Sequence, residues 1–163
     1  MRVLGIDPGS IVTGYGIVED CQGKLTHVVS GTISLSRITT FPQRLKEIYE
    51  RLTSIISSYS PESVAIEEVF FAKNVRSAIR LSHARGVAIL AAENAGLPLY
   101  EYSPLEIKQS MVGYGRASKD QVEKMAKYLL GISGVKSLDA SDALAVAICH
   151  LHSAKIREKI GNF

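Results

Sequence analysis

The order of strand-like and helix-like segments predicts an α/β domain with a mixed five-stranded sheet and helices on both of its faces. Three strand patterns joined by short turns open the chain and indicate an antiparallel meander. Two further strand patterns alternate with amphipathic helical patterns, an arrangement that places neighbouring strands parallel. At 163 residues with 46% hydrophobic residues, the chain has the size and composition of a single globular domain over residues 1–163.

The first strand pattern, residues 3–6, is a short apolar run that ends at Asp7. Pro8 presets φ for a turn and Gly9 can adopt a positive φ, and residues 13–18 then return as a second strand. Because this return strand carries little side-chain bulk, it is expected to leave room for a ligand beside the carboxylate. The alternative is a local role, since an aspartate in such a turn often caps it through its own side chain.

A third strand and a long helix follow. Residues 24–35 alternate and are rich in β-branched side chains, which predicts a strand antiparallel to the second. An amphipathic helix begins after Thr39 or Thr40 and ends before Pro61. Residues 63–67 form a short fourth strand that again finishes on a carboxylate.

The second half of the chain alternates helices with one more strand. The predicted elements are a long helix over residues 75–95, a strand over residues 99–102, a helix from Ser103 to Gly113, a helix from Ser118 to Leu130 and a last helix that starts near Asp139. Ser103 with Glu106 and Ser118 with Gln121 form capping boxes. The last helix is expected to end in a flexible basic tail with Lys155, Arg157 and Lys159.

Composition excludes several classes of protein. The sequence contains neither an apolar run near the ~18 residues of a membrane span nor a basic-then-apolar signal sequence, so a cytoplasmic protein without membrane association is expected. Cys21 and Cys149 lie far apart without CxxC spacing, which argues against a zinc ribbon or a disulfide framework. The net charge of +3 permits a polyanionic partner.

Four acidic residues are predicted to converge. When the first and fourth strands pair in parallel, Asp7 and Glu67 both lie at their carboxyl ends, where α/β sheets build sites. Asp139 and Asp142 are three residues apart on one face of the last helix, and the apolar residues that follow indicate a buried helix. Capping of the helix N-terminus is the alternative role for these two aspartates.

Such a group of carboxylates favours hard metal ions. The acids would repel one another and raise one another's pKa unless cations were bound, and oxygen ligands suit Mg²⁺, with Mn²⁺ as a substitute. Two ions ~3.5–4 Å apart can promote phosphodiester hydrolysis. In that arrangement Asp7 would bridge the ions, Glu67 would complete one coordination sphere, and Asp139 and Asp142 the other.

Four segments in order over nearly the whole chain resemble the RuvC-type Holliday junction resolvases of the ribonuclease H-like superfamily: GIDPGSIVTGYGIV, AIEEVFFAKN, ARGVAIL and DASDALAVAICH. The resemblance implies a ribonuclease H-like fold and a homodimeric, Mg²⁺-dependent endonuclease that nicks two opposed strands of a four-way DNA junction. It also implies the RuvA–RuvB branch-migration complex as a partner, and Asp7, Glu67, Asp139 and Asp142 as the catalytic acids. Glu68 departs from the glutamine that relatives often have; strand alternation places it opposite Glu67, and the family register selects Glu67.

Six basic residues and one aromatic residue are candidates for DNA contacts. Lys73, Arg76 and Arg80 form a stripe along the second long helix, while Lys108, Arg116 and Lys119 surround a glycine-rich loop. Solvated helix faces are the alternative. The resemblance implies that Lys108 and Lys119 lie near the scissile phosphate and that Phe70 stacks on a base at the junction centre; for Phe70 and Phe71, core packing is the alternative.

Other functions stay open at this point. A ribonuclease H-like RNA-processing nuclease would use the same acids, and the actin and sugar-kinase ATPases also open with an early aspartate and spaced glycines, although they need two such domains. For the dimer, the small residues of the second long helix are the predicted interface: Ala78, Ala84, Gly86 and Ala88.

Overall fold

The computed structural model of the chain describes residues 1–68, 74–135 and 137–161. Its strands are β1 (Arg2–Asp7), β2 (Val12–Cys21), β3 (Lys24–Ser34), β4 (Ser63–Glu67) and β5 (Leu99–Tyr102). They form one sheet in the order β3-β2-β1-β4-β5. The first three strands pair antiparallel, and β1, β4 and β5 pair parallel, which confirms the predicted mixed sheet.

The helices cover both faces of this sheet, as the sequence predicts. They are α1 (Phe41–Tyr59), α2 (Val75–Asn94), α3 (Pro104–Val112), α4 (Lys119–Leu130) and α5 (Leu138–Gly161). Leu4 and Ile6 of β1 pack with α1 and α2, whereas Val3 packs with the other three helices. Alternate residues of one strand therefore enter two separate cores.

The predicted helix ends are confirmed where the signal is local. Ser103 and Ser118 both form complete capping boxes, and Ser60 ends α1 in the left-handed conformation with φ of 47°. Thr40 precedes α1, but its hydroxyl group bonds to the side chain of Gln43 and makes no cap to the helix backbone.

Helix α5 lies so close to the sheet that glycine is required beneath it. A Cβ atom on Gly5 would overlap the carbonyl oxygen of Ala143, and one on Gly14 would overlap that of Asp139. The room expected for a ligand beside the second strand is therefore filled by this helix, so that expectation was wrong. The space serves to bring the helix, with its aspartates, against β1 and β2.

The turn after Asp7 is stabilised by Thr13, whereas the sequence also permits this role for Asp7 itself. The Thr13 hydroxyl group donates to the carbonyl oxygen of Gly9 at 2.9 Å and accepts from its amide at 3.2 Å. Gly9 does not use the positive φ that glycine permits. It is needed instead because a Cβ atom there would overlap the carbonyl oxygen of Val12.

The basic residues near the end of α5 are part of the folded helix. Lys155 forms an ion pair with Asp20 at 2.5 Å. The Arg157 guanidinium lies 5.3 Å from the ring centre of Tyr100 and donates to the Tyr102 hydroxyl group at 3.3 Å. The expected flexible tail therefore does not include Lys155 and Arg157, because contacts with the sheet hold both.

Across the part of the chain that the structure describes, the helices are too short or too polar to cross a membrane. Two predicted DNA contacts, Phe70 and Lys73, lie outside the described residues, as does the side chain of Lys159.

The close packing of α5 predicts that Gly5→Ala destabilises the protein by about 1–3 kcal/mol or more, because the added methyl group must push the helix away from the sheet. Gly134→Ala is the matched control, since a Cβ atom there meets no atom within 4 Å, and its free energy of unfolding should stay within about 1 kcal/mol of wild type. Urea denaturation measures both. Equal stability of the two variants would contradict the close contact.

Candidate active site

The pairing of β1 with β4 places two acids side by side. Ile6 pairs with Ile66, so Asp7 and Glu67 leave the sheet next to each other at its carboxyl edge. Gly5 and Ala65 lie on the α5 face of the sheet, and by alternation the two acids, two residues further along, point to that same face. The two carboxyl groups are close enough for the charge of Glu67 to raise the pKa of Asp7.

The first two turns of α5 supply the other two acids. Asp142 lies between the buried residues Ser141 and Ala143, and its side chain is 20% exposed. Ser137 caps this helix, because its hydroxyl group accepts from the amide of Ala140 at 3.2 Å. The capping role considered for the aspartates is thus taken by Ser137, and Asp142 points into the site.

These four residues form what we call the acidic cluster: Asp7, Glu67, Asp139 and Asp142. Burial, and then the nearby charges of Glu67 and Asp142, raise the pKa of Asp7 to about 8, with a smaller contribution from Asp139. Burial and the Asp142 charge raise the pKa of Glu67, while Lys119 opposes the increase for both residues. Asp7 thus lies within reach of the charges of the other three acids.

Two lysines share a cleft with Glu67 and Asp142 of the cluster. The cleft has a volume of about 250 Å³ and is lined by Glu67, Pro104, Ile107, Lys108, Lys119, Val122, Asp142 and Ala145. Lys119 Nζ lies 2.8 Å from Asp142 Oδ2, and this hydrogen bond raises the pKa of Lys119. Lys108 lies near enough to Glu67 to lower the pKa of that carboxyl group. Sequence reasoning placed both lysines near the site but missed the ion pair with Asp142.

The other predicted DNA contacts lie elsewhere on the surface. Among the described residues, Arg76, Arg80 and Arg116 are exposed and do not line this cleft. The Arg80 guanidinium lies 5.6 Å from the ring centre of Phe41, a contact between α2 and α1 that sequence reasoning did not predict. Phe70 and Lys73 fall outside the described part of the chain.

The donor chemistry of the cluster suits a hard divalent cation. It offers only carboxylate oxygens, and Asp7, with a pKa of about 8, holds a proton at neutral pH unless a cation takes its place. In the described part of the chain, no three Asp, Glu, His or Cys side chains already stand in position around one ion. Asp142 is bound to Lys119, so cation binding requires these side chains to rearrange.

Comparison with known proteins assigns this arrangement to a family. Residues 3–150 match the family model described as Crossover junction endodeoxyribonuclease RuvC. A relative with that name from Pelobacter propionicus is 55% identical over 94% of this chain and 87% of its own length, and one from Citrifermentans bemidjiense is 52% identical over 99% of both chains. The solved structure of Thermus thermophilus RuvC in complex with Holliday junction substrate is 32% identical over 96% of both chains, with a TM-score of 0.90. The predicted ribonuclease H-like fold is thereby confirmed.

The raised pKa of Asp7 predicts how stability depends on pH without divalent cations. The pKa of Asp7 in the folded state, about 8, lies above the ordinary aspartate value of 3.8, so the native state binds a proton more tightly than the unfolded state. The favourable contribution of Asp7 to the free energy of unfolding is complete below about pH 4. It is lost as the pH rises toward about 8. Asp7→Asn should therefore exceed wild type in free energy of unfolding by more than about 1 kcal/mol near pH 8, and the difference should disappear near pH 4.

Urea denaturation in EDTA across this pH range makes the measurement. Glu50→Gln is the control, because Glu50 is an exposed carboxylate in an i,i+4 pair with Lys46. Added Mg²⁺ should stabilise wild type more than Asp7→Asn. A difference between Asp7→Asn and wild type that is constant with pH would show that Asp7 titrates alike in the folded and unfolded states.

Proposed function

The chain belongs to the RuvC family of crossover junction endodeoxyribonucleases, and from that premise we propose that its acidic cluster resolves four-way DNA junctions by metal-dependent phosphodiester hydrolysis. The observation that carries this proposal is the convergence of Asp7, Glu67 and Asp142 from three separate elements. Glu67 and Asp142 line one cleft with Lys108 and Lys119, and Asp7 is close enough to both acids for their charges to raise its pKa. Paired nicks in opposed strands then resolve the junction.

The acids would hold two Mg²⁺ ions, and Mn²⁺ should substitute. When bound, two such ions supply the positive charge that favours the attacking water and the leaving oxygen. Asp7 lies between Glu67 and the aspartates of α5, which suits it to bridge the two ions. Glu67 would complete one coordination sphere, and Asp139 and Asp142 the other.

The basic residues position the DNA backbone. Lys108 and Lys119 present ammonium groups to the cleft and can bind the phosphate next to the scissile bond. Arg116 and the α2 residues Arg76 and Arg80, with Lys73 before them in sequence, would contact phosphates further along the strands. Phe70 follows Glu67 by three residues in the sequence. It would stack on a base already unpaired at the crossover, an interaction worth ~1–3 kcal/mol that favours a junction over a duplex.

A homodimer supplies the second active site that paired nicks need. Of the four predicted interface residues, Ala84 and Ala88 are buried in the core of the subunit and cannot form it, whereas Ala78 is half-buried and Gly86 is exposed. The side chains of Ala84 and Ala88 lie on the face of α2 that packs against the sheet and α1. The opposite face exposes apolar side chains, and we define the α2 apolar face as Val75, Ile79 and Leu90, which are 76%, 52% and 51% exposed. A second copy related by two-fold symmetry would cover this face.

The remaining parts of the proposal concern the cellular setting. Recombination and repair of chromosomal DNA would place the protein in the cytoplasm. The RuvA–RuvB branch-migration complex is the proposed partner, on the ground that the family resemblance implies it. A four-way junction is a branched polyanion, and the chain's net charge of +3 suits such a substrate.

The catalytic assignment predicts that Glu67→Gln lowers the rate of junction cleavage at least about 100-fold. Loss of a metal ligand should reduce activity more than loss of a residue that only hydrogen-bonds to a ligand. The matched control is Glu68→Gln. Glu68 is the next residue, its amide bonds to the carbonyl oxygen of Tyr102, and its side chain does not line the cleft; the variant should cleave like wild type. Labelled four-way junction, linear duplex and RNA–DNA hybrid with and without Mg²⁺ are the substrates.

In this experiment junction binding by Glu67→Gln should persist while cleavage is lost. Cleavage of the hybrid in preference to the junction would favour an RNA-processing nuclease. Loss of activity in both variants would argue against the assignment of Glu67 over Glu68.

The proposed dimer predicts that Ile79→Glu produces a monomer, because two buried carboxylates would face each other across the two-fold axis. Ile156→Glu is the control: Ile156 is 58% exposed, close to the 52% of Ile79, but lies on α5. Sedimentation at micromolar concentration should show a dimer for wild type and Ile156→Glu. A wild-type monomer, with and without junction DNA, would overturn the proposal.

A further inference from the structure

The ammonium group of Lys119 lies against the acidic cluster and brings a positive charge to it. Its Nζ is 2.8 Å from Asp142 Oδ2, and the charges of Asp7 and Glu67 also act on it. The Asp142 carboxylate is 20% exposed, whereas the lysine side chain is 76% exposed. The ammonium group therefore reaches the acids from the solvent side, on a side chain that can also leave them.

The position of Lys119 in its helix gives it no local advantage. It is the first residue of α4, directly after the cap Ser118, where the helix dipole disfavours a cation. Lys124 and Lys127 of the same helix pair locally with Asp120 and Glu123 at 2.8 and 2.6 Å. Lys119 instead reaches across to α5, 23 residues further along the chain. The ion pair with Asp142 offsets the unfavourable dipole and fixes the lysine in the cleft.

A divalent cation bound by Asp142 would compete with this lysine. Both would take the carboxylate oxygen at the same place, and two positive charges at hydrogen-bond distance repel each other. We propose that Lys119 is an internal counter-ion for Asp142, which a divalent cation displaces, and that the displaced ammonium group then binds a phosphate of the DNA. The inference rests on the proposed function of the acids as metal ligands.

A consequence is that metal binding and DNA binding assist each other. A cation that releases Lys119 provides a free ammonium group for phosphate, and a phosphate that draws Lys119 away leaves Asp142 open to the cation. Such coupling acts equally in both directions. Lys108 cannot play the same part, because among the described residues it forms no ion pair with an acid, although it lines the same cleft.

The test compares Lys119→Gln with Lys108→Gln. Both variants remove one positive charge from the same cleft, so only the displaced ion pair distinguishes them. The dissociation constant for Mn²⁺ is measured on the DNA-free protein by electron paramagnetic resonance of the unbound ion. We expect Lys119→Gln to bind Mn²⁺ about three- to tenfold more tightly than wild type, and Lys108→Gln to change less. Equal tightening in both variants, or none in Lys119→Gln, overturns the proposal.

A second measurement follows the ammonium group itself. In heteronuclear NMR spectra of lysine side chains, the Lys119 signal, assigned by its absence in Lys119→Gln, should move on addition of Mg²⁺ to wild type. A signal that does not move at saturating Mg²⁺ overturns the displacement. Asp7→Asn separates the two proposals: if it leaves wild-type Mn²⁺ affinity unchanged, the acids are not the metal ligands and the proposed function fails. If it weakens that affinity while the two lysine variants behave alike, only the counter-ion fails.

Discussion

The contact between the backbone of α5 and the backbone of the sheet determines where the acids stand. A helix normally rests on a sheet through a layer of side chains, but Gly5 and Gly14 remove that layer beneath α5. Helix α5 also has small residues at this contact, Ala143 and Ala147. All of its residues from Ala143 to Leu151 are buried. Because Asp139 and Asp142 precede this buried stretch, they come down beside the ends of β1 and β4. A larger residue at either glycine would lift the helix and separate the two halves of the site.

The same helix also holds the walls of the cleft. Ser110 of α3 bonds to His152 of α5 at 3.1 Å, and the Tyr102 hydroxyl group, at the end of β5, bonds to the buried His150 at 2.8 Å. Burial lowers the pKa of His150 to about 4, so its imidazole stays neutral at neutral pH and brings no charge into the core. The histidines that could have suggested a metal site are thus structural. His152 links α5 to α3, the helix that carries Lys108, and His150 links α5 to β5.

The parts of the fold that the sequence predicted depend on neighbours along the chain. The capping boxes at Ser103 and Ser118 and the antiparallel pairing of the first three strands follow from residues close together in the chain, and the parallel pairing of β1 with β4 follows from the alternation of strands with helices. Asp7 and Glu67 could be predicted because each ends an apolar strand, which is a local signal. Parallel pairing of β1 with β4 then places the two acids side by side. The bond between Lys119 and Asp142 joins residues 23 positions apart on different helices, and no periodicity in the sequence marks it. The only trace is a lysine at the first position of α4, where the helix dipole disfavours it.

Small residues were the least informative, for a physical reason. A glycine or alanine permits close approach, but its identity does not say what approaches. Gly14 was taken as space for a ligand and is covered by α5; Ala84 and Ala88 were taken as a subunit interface and face the core of their own subunit. The large side chains of α2 resolve the ambiguity, because a helix 20 residues long must place some residues outward, and exposing Val75 and Ile79 has an energetic cost. Ala84 and Ala88 face inward while large apolar side chains of the same helix face water, and this pattern is the basis of the proposed dimer interface.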